Sequence, residues 1–102
     1  MKICSIDPLT GYYRDGYCNT GLSDSGTHTV CAKMTNEFLQ FTKNRNNDLI
    51  TPSPQHNFPG LKENDNWCIC ALRYKEALDH GIKMDINKEA THKKTLNYIL
   101  DL

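Results

Sequence analysis

The sequence predicts an α+β fold, a small two-layer sandwich in which a sheet of about three strands is covered on one face by helices. Strand-like and helix-like segments alternate three times after residue 26. Turn-forming residues crowd the positions before it, which predicts a looped N-terminal arm. A length of 102 residues with 38% hydrophobic residues is typical of one domain. We therefore expect a single domain, with the arm at 1–26 and a strand–helix body at 27–102.

Three tyrosines, Tyr12, Tyr13 and Tyr17, interrupt the turn formers of the arm. Aromatic side chains bury large apolar areas, so we expect these residues to hold the arm against the body. The arm is therefore predicted to be ordered while containing little regular secondary structure.

The first strand is predicted at residues 27–34, which are rich in Thr, Val and small residues. Successive side chains of a strand point to opposite faces. His28, Val30 and Ala32 therefore share one face, which has the better core composition, and Cys31 lies on the other.

A helix is predicted next, over residues 36–44, because apolar residues recur there at helical spacing. Thr35 provides an N-cap hydroxyl, and Asn46 tolerates the left-handed conformation that ends many helices. The proline-rich segment 47–66 has little periodicity and is predicted to be a long ordered connection.

The remaining elements are a second strand at residues 67–72, a helix at 73–80 that Gly81 terminates, and a third strand near 83–86. Thr91 is the expected N-cap of a last helix that carries Leu96, Ile99 and Leu100. We expect one core, formed by Trp67, Ile69, Ala71, Val30, Ala32, Phe38, Leu78, Leu96 and Ile99.

Charge and cysteine content narrow the classes of function. Twelve basic and twelve acidic residues cancel without like-charge blocks, which does not indicate a nucleic-acid or membrane partner. Five cysteines is an odd number, and the first residues contain no apolar stretch typical of a secretory signal. We therefore expect a cytoplasmic protein with free thiols and no disulfide.

The arrangement of the cysteines is the sharpest chemical feature of the sequence. Cys68 and Cys70 lie two apart on a strand and so project from one face, where Cys31 would join them if the two predicted strands pair. Cys18 of the arm could close over the group. These four residues are candidate zinc ligands, although C-x-C is not the usual zinc spacing. Thiol-redox chemistry is a further alternative, and simple packing as small hydrophobes is the favoured interpretation.

Other polar residues are candidates for binding. His28 and Cys31 suggest a nucleophile pair, but on a regular strand they face opposite sides, so a bulge or another partner such as His92 would be required. An Arg can hold a carboxylate or phosphate through two hydrogen bonds, although an internal salt bridge is the more ordinary role. The candidate binding residues are Arg14, Asp15, His28, Arg73 and His92.

Several strings of the sequence resemble domain-of-unknown-function family 2237, a family of small bacterial proteins. They are Asp7-Pro8-Leu9-Thr10-Gly11, Tyr13-Arg14-Asp15-Gly16, His28-Thr29-Val30-Cys31-Ala32, Phe58-Pro59-Gly60-Leu61-Lys62 and Trp67-Cys68-Ile69-Cys70-Ala71. The resemblance spans essentially the whole chain and implies a small two-layer α/β arrangement without an assigned activity. Its motifs include the positions of Cys18, Cys31, Cys68, Cys70, Arg14 and His28.

No recognisable catalytic constellation is present, so the sequence leaves enzymatic activity undecided. The favoured hypothesis is a cytoplasmic binding or interaction module for an unknown small molecule or protein. The alternative is a cysteine-dependent protein that binds zinc or performs thiol-redox chemistry. A dry pocket beside the aromatic arm without convergent titratable groups would favour the first hypothesis, and unfolding of the protein on acidification or chelation would favour the second.

Overall fold

The computed structural model describes residues 1–99; the predicted helix residue Leu100 lies outside this part of the chain. Its strands are β1, His28–Lys33, and β2, Asn66–Cys70, and its α-helices are α1, Asn36–Asn44, and α2, Ala71–Asp79. Short 3₁₀ helices occur at Pro54–His56, Lys88–Ala90 and Lys93–Asn97. None of the described helices is long and apolar enough to cross a membrane.

β1 and β2 form an antiparallel pair in which Cys31 lies opposite Cys68. The register shifts by one residue between His28 and Val30, which is a β-bulge, and His28 consequently lies opposite Cys70. The two strands pair directly, as predicted. The bulge was not foreseen, and it places His28 rather than Thr29 opposite Cys70.

The α+β class is confirmed, whereas the three-stranded, helix-covered sandwich is not. The sheet of the described residues has two strands. The predicted third strand is reduced to a single bridge between Ala32 and Ile86, flanked by hydrogen bonds from Lys33 N to Asp85 O and from Asn87 N to Cys31 O, each 2.9 Å long. The chain then enters a 3₁₀ helix at Lys88, which ends the pairing.

Helix α1 has the predicted bounds. The Thr35 hydroxyl accepts a hydrogen bond from Phe38 N at 3.0 Å, which satisfies one of the free N–H groups at the helix start. Asn46 has a φ of 67°, so it adopts the left-handed conformation that was predicted for it. Phe38 and Leu39 are buried against the sheet and α2.

Helix α2 begins two residues earlier than predicted, because β2 ends at Cys70 and passes into the helix without a turn. The N–H of Ala71 donates to the Thr27 carbonyl at 3.0 Å, which fixes this junction against the start of β1. Tyr74 and Ala77 are buried, but Leu78 is 39% exposed, so its predicted core position is wrong. Gly81, with a φ of 77°, follows the helix end.

The predicted last α-helix is a 3₁₀ helix, and its N-cap is His92 rather than Thr91. A 3₁₀ helix has about three residues per turn instead of 3.6, so it presents a different set of side chains to the core. Thr95 is fully buried, whereas Leu96 is 45% exposed and its predicted core position is also wrong.

The two faces of the sheet belong to different clusters. The face with Val30, Ala32, Trp67 and Ile69 packs on both helices and forms the main core, and Ile99 packs at its edge. The opposite face forms a second, smaller buried cluster consisting of Cys4, Cys18, Cys31, Cys68 and Ala90. The strand parity of the main core was therefore predicted correctly.

Candidate functional site

Two disulfides join the arm to the sheet, Cys4–Cys31 and Cys18–Cys68. Their Cα atoms are 5.7 and 5.2 Å apart, in the usual range for such bridges. The prediction that every cysteine is a free thiol is therefore wrong. An odd count requires only one unpaired cysteine, and that residue is Cys70.

The predicted cluster of cysteines is present in part. Cys18, Cys31 and Cys68 lie together as expected, but Cys70 lies at the open end of the ladder. Sequence reasoning missed Cys4, because a residue in a looped arm has no periodicity from which its partner can be inferred. The sulfurs of Cys4, Cys18 and Cys68 all lie within 4.8 Å of one another. Zinc needs thiolates, so a zinc site here would require reduction of the disulfides.

A cavity with a volume of about 580 Å³ opens between the arm, the long connection and the bulged end of the sheet. It is lined by Gly11, Tyr12, Arg14, His28, Asn47, Asp48, Leu49, Ser53, His56, Phe58, Trp67, Cys68, Ile69 and Cys70. The cavity thus lies beside the aromatic arm, and it contains convergent titratable groups.

Arg14 supplies the permanent positive charge of the cavity. Its guanidinium lies 5.0 Å from the centre of the Trp67 ring, and its Nη1 donates to the Gly11 carbonyl at 2.6 Å. The Nε atom is buried without a hydrogen-bond partner, and no described carboxylate lies within ion-pair distance of the side chain. Burial lowers the pKa of Arg14, but arginine keeps its charge in proteins. A cation is therefore held at the cavity without a counter-ion.

His28 is held by a buried carboxylate that the sequence did not single out. Asp24 has a fully buried side chain, and its Oδ1 lies 2.7 Å from His28 Nδ1. Its Oδ2 accepts from His28 N at 2.9 Å and from the Thr20 hydroxyl at 3.0 Å. Burial raises the pKa of Asp24, but the hydrogen bonds and charge of His28, with the Thr20 bond, outweigh it and hold the pKa below its usual value. Asp24 is therefore a carboxylate at neutral pH.

Cys70 is the half-buried thiol of this site. It is the last residue of β2, lies opposite His28 in the ladder, and immediately precedes α2. The sequence suggested a pair of His28 with Cys31 that only a bulge or another partner could allow. The bulge exists, and it places His28 opposite Cys70, while Cys31 is bonded to Cys4.

The other candidate binding residues lie outside the cavity lining. Asp15 Oδ1 accepts from Tyr17 N at 3.0 Å, and Arg73 pairs with Glu76 at 3.3 Å on the same helix. His92 Nδ1 accepts from Lys94 N at 3.0 Å as a helix cap. Burial, followed by the nearby charges of Lys93 and Lys94, lowers the pKa of His92. A binding role for Asp15, Arg73 and His92 stays a prediction.

Fold and site together define a small α+β protein with an arm bridged to a two-stranded sheet and an open cavity lined by an arginine, two histidines and a free thiol. Residues 1–101 match the family described as "Uncharacterized protein conserved in bacteria", DUF2237, and the chain belongs to that family. The resemblance seen in the sequence is thereby confirmed. No curated protein is similar enough to the chain to count as a match.

Proposed function

We propose that this protein binds a small anionic molecule in the 580 Å³ cavity, with Arg14 as the residue that holds the negative group. The observation that carries the proposal is the unpaired charge of Arg14, fixed over Trp67 with a buried Nε that has no partner. A planar guanidinium recognises carboxylate and phosphate groups through parallel hydrogen bonds. A bound anion would supply both the missing charge and the missing acceptor.

The charges around the cavity support an anionic rather than a cationic ligand. Asp48 is the one carboxylate among its described lining residues. The Asp48 oxygens already accept from Ile50 N, Thr51 N and the Thr51 hydroxyl, at 2.9, 3.0 and 2.7 Å. These bonds keep the pKa of Asp48 below its usual value and occupy its acceptor sites. Asp48 therefore stabilises its own loop and leaves Arg14 to face the ligand.

The walls of the cavity indicate the body of the ligand. Trp67 and Phe58 pack edge to face with ring centres 5.3 Å apart, and Tyr12 and Leu49 add further apolar surface. Cavities of this kind bury most of a small ligand against apolar walls, while a few polar groups fix its orientation. We therefore expect a compact organic anion with an apolar portion.

Calorimetry with simple anions tests this function. Glutarate, inorganic phosphate and the neutral diamide of glutarate separate carboxylate, phosphate and uncharged binding. Arg14→Gln is expected to weaken binding of the preferred anion by about tenfold or more, because a charge-assisted hydrogen bond contributes about 1.5–3 kcal/mol. Arg14→Lys keeps the positive charge but loses the planar guanidinium. Its affinity for the preferred anion should therefore lie between the affinities of the wild type and of Arg14→Gln.

Arg45→Gln is the matched control, because this arginine is already paired with Glu76 and lies outside the cavity lining. It should bind the anion as the wild type does. Equal binding of the diamide and the dicarboxylate, or unchanged binding by Arg14→Gln with an unaltered unfolding midpoint, would remove the proposed function.

A second candidate function is zinc binding by the reduced chain. It is favoured by the three buried sulfurs of Cys4, Cys18 and Cys68 within 4.8 Å of one another, and the sequence adds Cys31 and Cys70 as candidates. Metal analysis of untagged protein purified under strongly reducing conditions tests it. One zinc per chain that is lost in Cys18→Ser would support this function, and metal-free reduced protein would end it.

A further inference from the structure

We propose that Cys70 is a nucleophile that attacks the acyl carbon of an ester or thioester bearing a carboxylate, with His28 as its base and Asp24 as the positioning residue of the imidazole. The choice of an anionic substrate rests on the proposed function of Arg14. The covalent chemistry rests on a different set of contacts, at the bulged end of the sheet.

The contact between Asp24 and His28 fixes the imidazole. A neutral imidazole has one N–H and one basic nitrogen, and the carboxylate 2.7 Å from Nδ1 can only accept. Nδ1 therefore carries the hydrogen, and Nε2 is left as the basic nitrogen. The side chain of Asp24 is fully buried, while that of His28 is 40% exposed. This combination, a buried carboxylate behind an accessible imidazole, is the arrangement that orients the base in Cys–His and Ser–His enzymes.

The thiol lies across the ladder from that imidazole. His28 and Cys70 are register partners, and both line the cavity. Residues directly opposite in a regular antiparallel pair have Cβ atoms about 4.5–5.5 Å apart; His28 and Cys70 are opposite across the bulge, which places their side chains at the same edge of the cavity. Cys70 is the one cysteine outside the disulfides, and it is half-buried rather than enclosed.

The start of helix α2 favours negative charge at the same position. The helix begins at Ala71, immediately after Cys70, and no side chain caps it. The N–H of Ala71 already donates to the Thr27 carbonyl, and the N–H groups that follow it in the first helical turn are the ones that stabilise an anion. A thiolate at Cys70, and the oxyanion formed when it attacks a carbonyl, would lie beside these groups.

Two neighbours hold the imidazole ring in place. The Tyr12 ring stacks on it with an interplanar angle of 18° and centres 6.4 Å apart. Gly26 lies against the ring so closely that a β-carbon there would clash with Cε1 of His28. The ring is therefore positioned by Asp24, Tyr12 and Gly26 together, as a working base must be.

The proposed reaction is the hydrolysis of an ester or a thioester in two steps. As Sγ of Cys70 bonds to the acyl carbon, its proton passes to Nε2 of His28. The bond from the acyl carbon to the leaving oxygen or sulfur breaks, and the leaving group takes that proton. Water then attacks the thioester, giving a proton to His28; the acyl–sulfur bond breaks, and the Cys70 thiolate recovers the proton. The net reaction is ester plus water to acid plus alcohol, or to acid plus thiol for a thioester.

The experiment compares two chromogenic esters, mono(4-nitrophenyl) glutarate and 4-nitrophenyl butyrate. Release of nitrophenolate gives the acylation rate, and mass spectrometry of the quenched protein locates the acyl group. We expect the glutarate ester to acylate Cys70 faster than the butyrate ester. His28→Gln should slow the reaction about 100-fold or more, the usual contribution of a general base. Cys70→Ser, which changes one atom, should release nitrophenolate no faster than the uncatalysed background.

The positioning role of Asp24 has its own readout. In Asp24→Asn the carboxylate that stabilises the imidazolium is gone, so the pH profile of the acylation rate should move, in addition to any fall in its plateau. A purely structural role would lower the folded fraction and leave the profile in place. His80→Gln is the control for histidine replacement, because His80 is exposed at the end of α2, bonded to Arg45 and the Glu76 carbonyl.

The outcomes separate this inference from the proposed function. A wild-type acylation rate in folded His28→Gln would show that His28 is not the base, and an acyl group found on a lysine would show that Cys70 is not the nucleophile; either result overturns the proposal. If Cys70→Ala binds glutarate in an Arg14-dependent way while the wild type forms no thioester, the binding function stands and the nucleophile is overturned. If both esters acylate Cys70 at one His28-dependent rate and glutarate does not bind, the nucleophile stands and the anionic preference is overturned.

Discussion

Cys68 and Cys70 lie two residues apart on one strand, and the molecule uses them in opposite ways. Cys68 is 1% exposed, bonded to Cys18, and opposite Cys31 in the ladder. Cys70 is half-buried, unpaired, and opposite His28 at an open cavity. The bulge in β1 lies between their ladder partners. The ladder is thus regular where the chain is bridged, and irregular where accessible polar groups gather.

The two ends of this short sheet also differ in how the chain is held. At its regular end, hydrogen bonds and disulfides fix the arm; Thr10 of the arm, for instance, is fully buried and accepts from Cys68 N at 2.8 Å. At its bulged end, Thr27 has a φ of 50° and Arg14 one of 54°, conformations that are rare for residues other than Gly, Asn and Asp. Strained residues of this kind collect at functional sites and are held there by the rigid parts around them.

The largest effect should come from removing both bridges. A disulfide stabilises mainly by restricting the unfolded chain, more so for longer loops, and the two pairs are separated by 27 and 50 residues. Each bridge is expected to contribute about 2–5 kcal/mol. Reduction should therefore take away most of the free energy of unfolding, measured by urea titration with and without dithiothreitol.

Alkylation under denaturing, non-reducing conditions gives the matching count. One alkyl group, on Cys70, is expected for the bridged protein and five after reduction. Five groups without reductant would contradict the bridges. That result would also favour the predicted cytoplasmic location, since disulfides persist in oxidising compartments.

The regular end of the sheet was also the part that the sequence predicted well. Strand alternation correctly placed Val30 and Ile69 in the core and Cys31 beside Cys68. The pairing of Cys31 with Cys4 could not be predicted, because Cys4 lies in a loop and no strand alternation indicates which way its side chain points. The absence of disulfides was inferred from the odd number of cysteines and from the lack of an apolar stretch typical of a secretory signal, but one unpaired residue, Cys70, is enough to explain the odd number.

The second-largest effect tests the core side of the same sheet. Ile69 is 2% exposed within the main core, so Ile69→Ala should cost about 2–5 kcal/mol, from lost burial plus the cavity left behind. Leu96→Ala is the control, because Leu96 is 45% exposed; it should cost less than about 1 kcal/mol. Comparable losses for the two variants in urea titrations would contradict this assignment of faces.

A smaller effect, dependent on pH, should come from Asp24 at the bulged end. Its pKa is lower in the folded than in the unfolded chain. The carboxylate therefore contributes stability that is fully present above its unfolded-state pKa of about 3.9 and is lost as the pH falls through the folded-state value. The difference in unfolding free energy between wild type and Asp24→Asn should shrink as the pH falls below about pH 4.

Thr20→Val is a milder change than Asp24→Asn, because it removes one hydrogen bond to the Asp24 carboxylate and leaves the charge. It should show a smaller loss of the same sign, about 0.5–1.5 kcal/mol at neutral pH. A difference between wild type and Asp24→Asn that grows in acid would mean that the carboxylate is protonated in the native protein.

Only some of the residues at the bulged end could be predicted from the sequence. Arg14 and His28 were singled out from residue type, and both line the cavity. Asp24 was read as a turn former, because nothing local distinguishes a buried carboxylate from an exposed one in a run such as Asp24-Ser25-Gly26. Cys70 was assigned to the cluster of Cys68 because alternation assumes a regular ladder, and a bulge has no sequence signature without a glycine at its position.

The smallest effect on stability, and the sharpest test of the comparison, is expected at Cys70. Cys70→Ala removes one half-buried sulfur that forms no bridge, so the free energy of unfolding should fall by less than about 1 kcal/mol. Replacing both Cys18 and Cys68 by Ala, which leaves no new thiol, should cost about 2–5 kcal/mol because it opens the longer loop. Urea titrations at neutral pH without reductant measure both. If Cys70→Ala lowered the free energy of unfolding as much as the double variant does, Cys70 would be a packing residue. The proposed difference between the two ends of β2 would then be wrong. A small cost in Cys70→Ala, together with complete loss of alkylation in the native protein, would locate the reactive thiol at the bulged end and the structural sulfurs at the regular one.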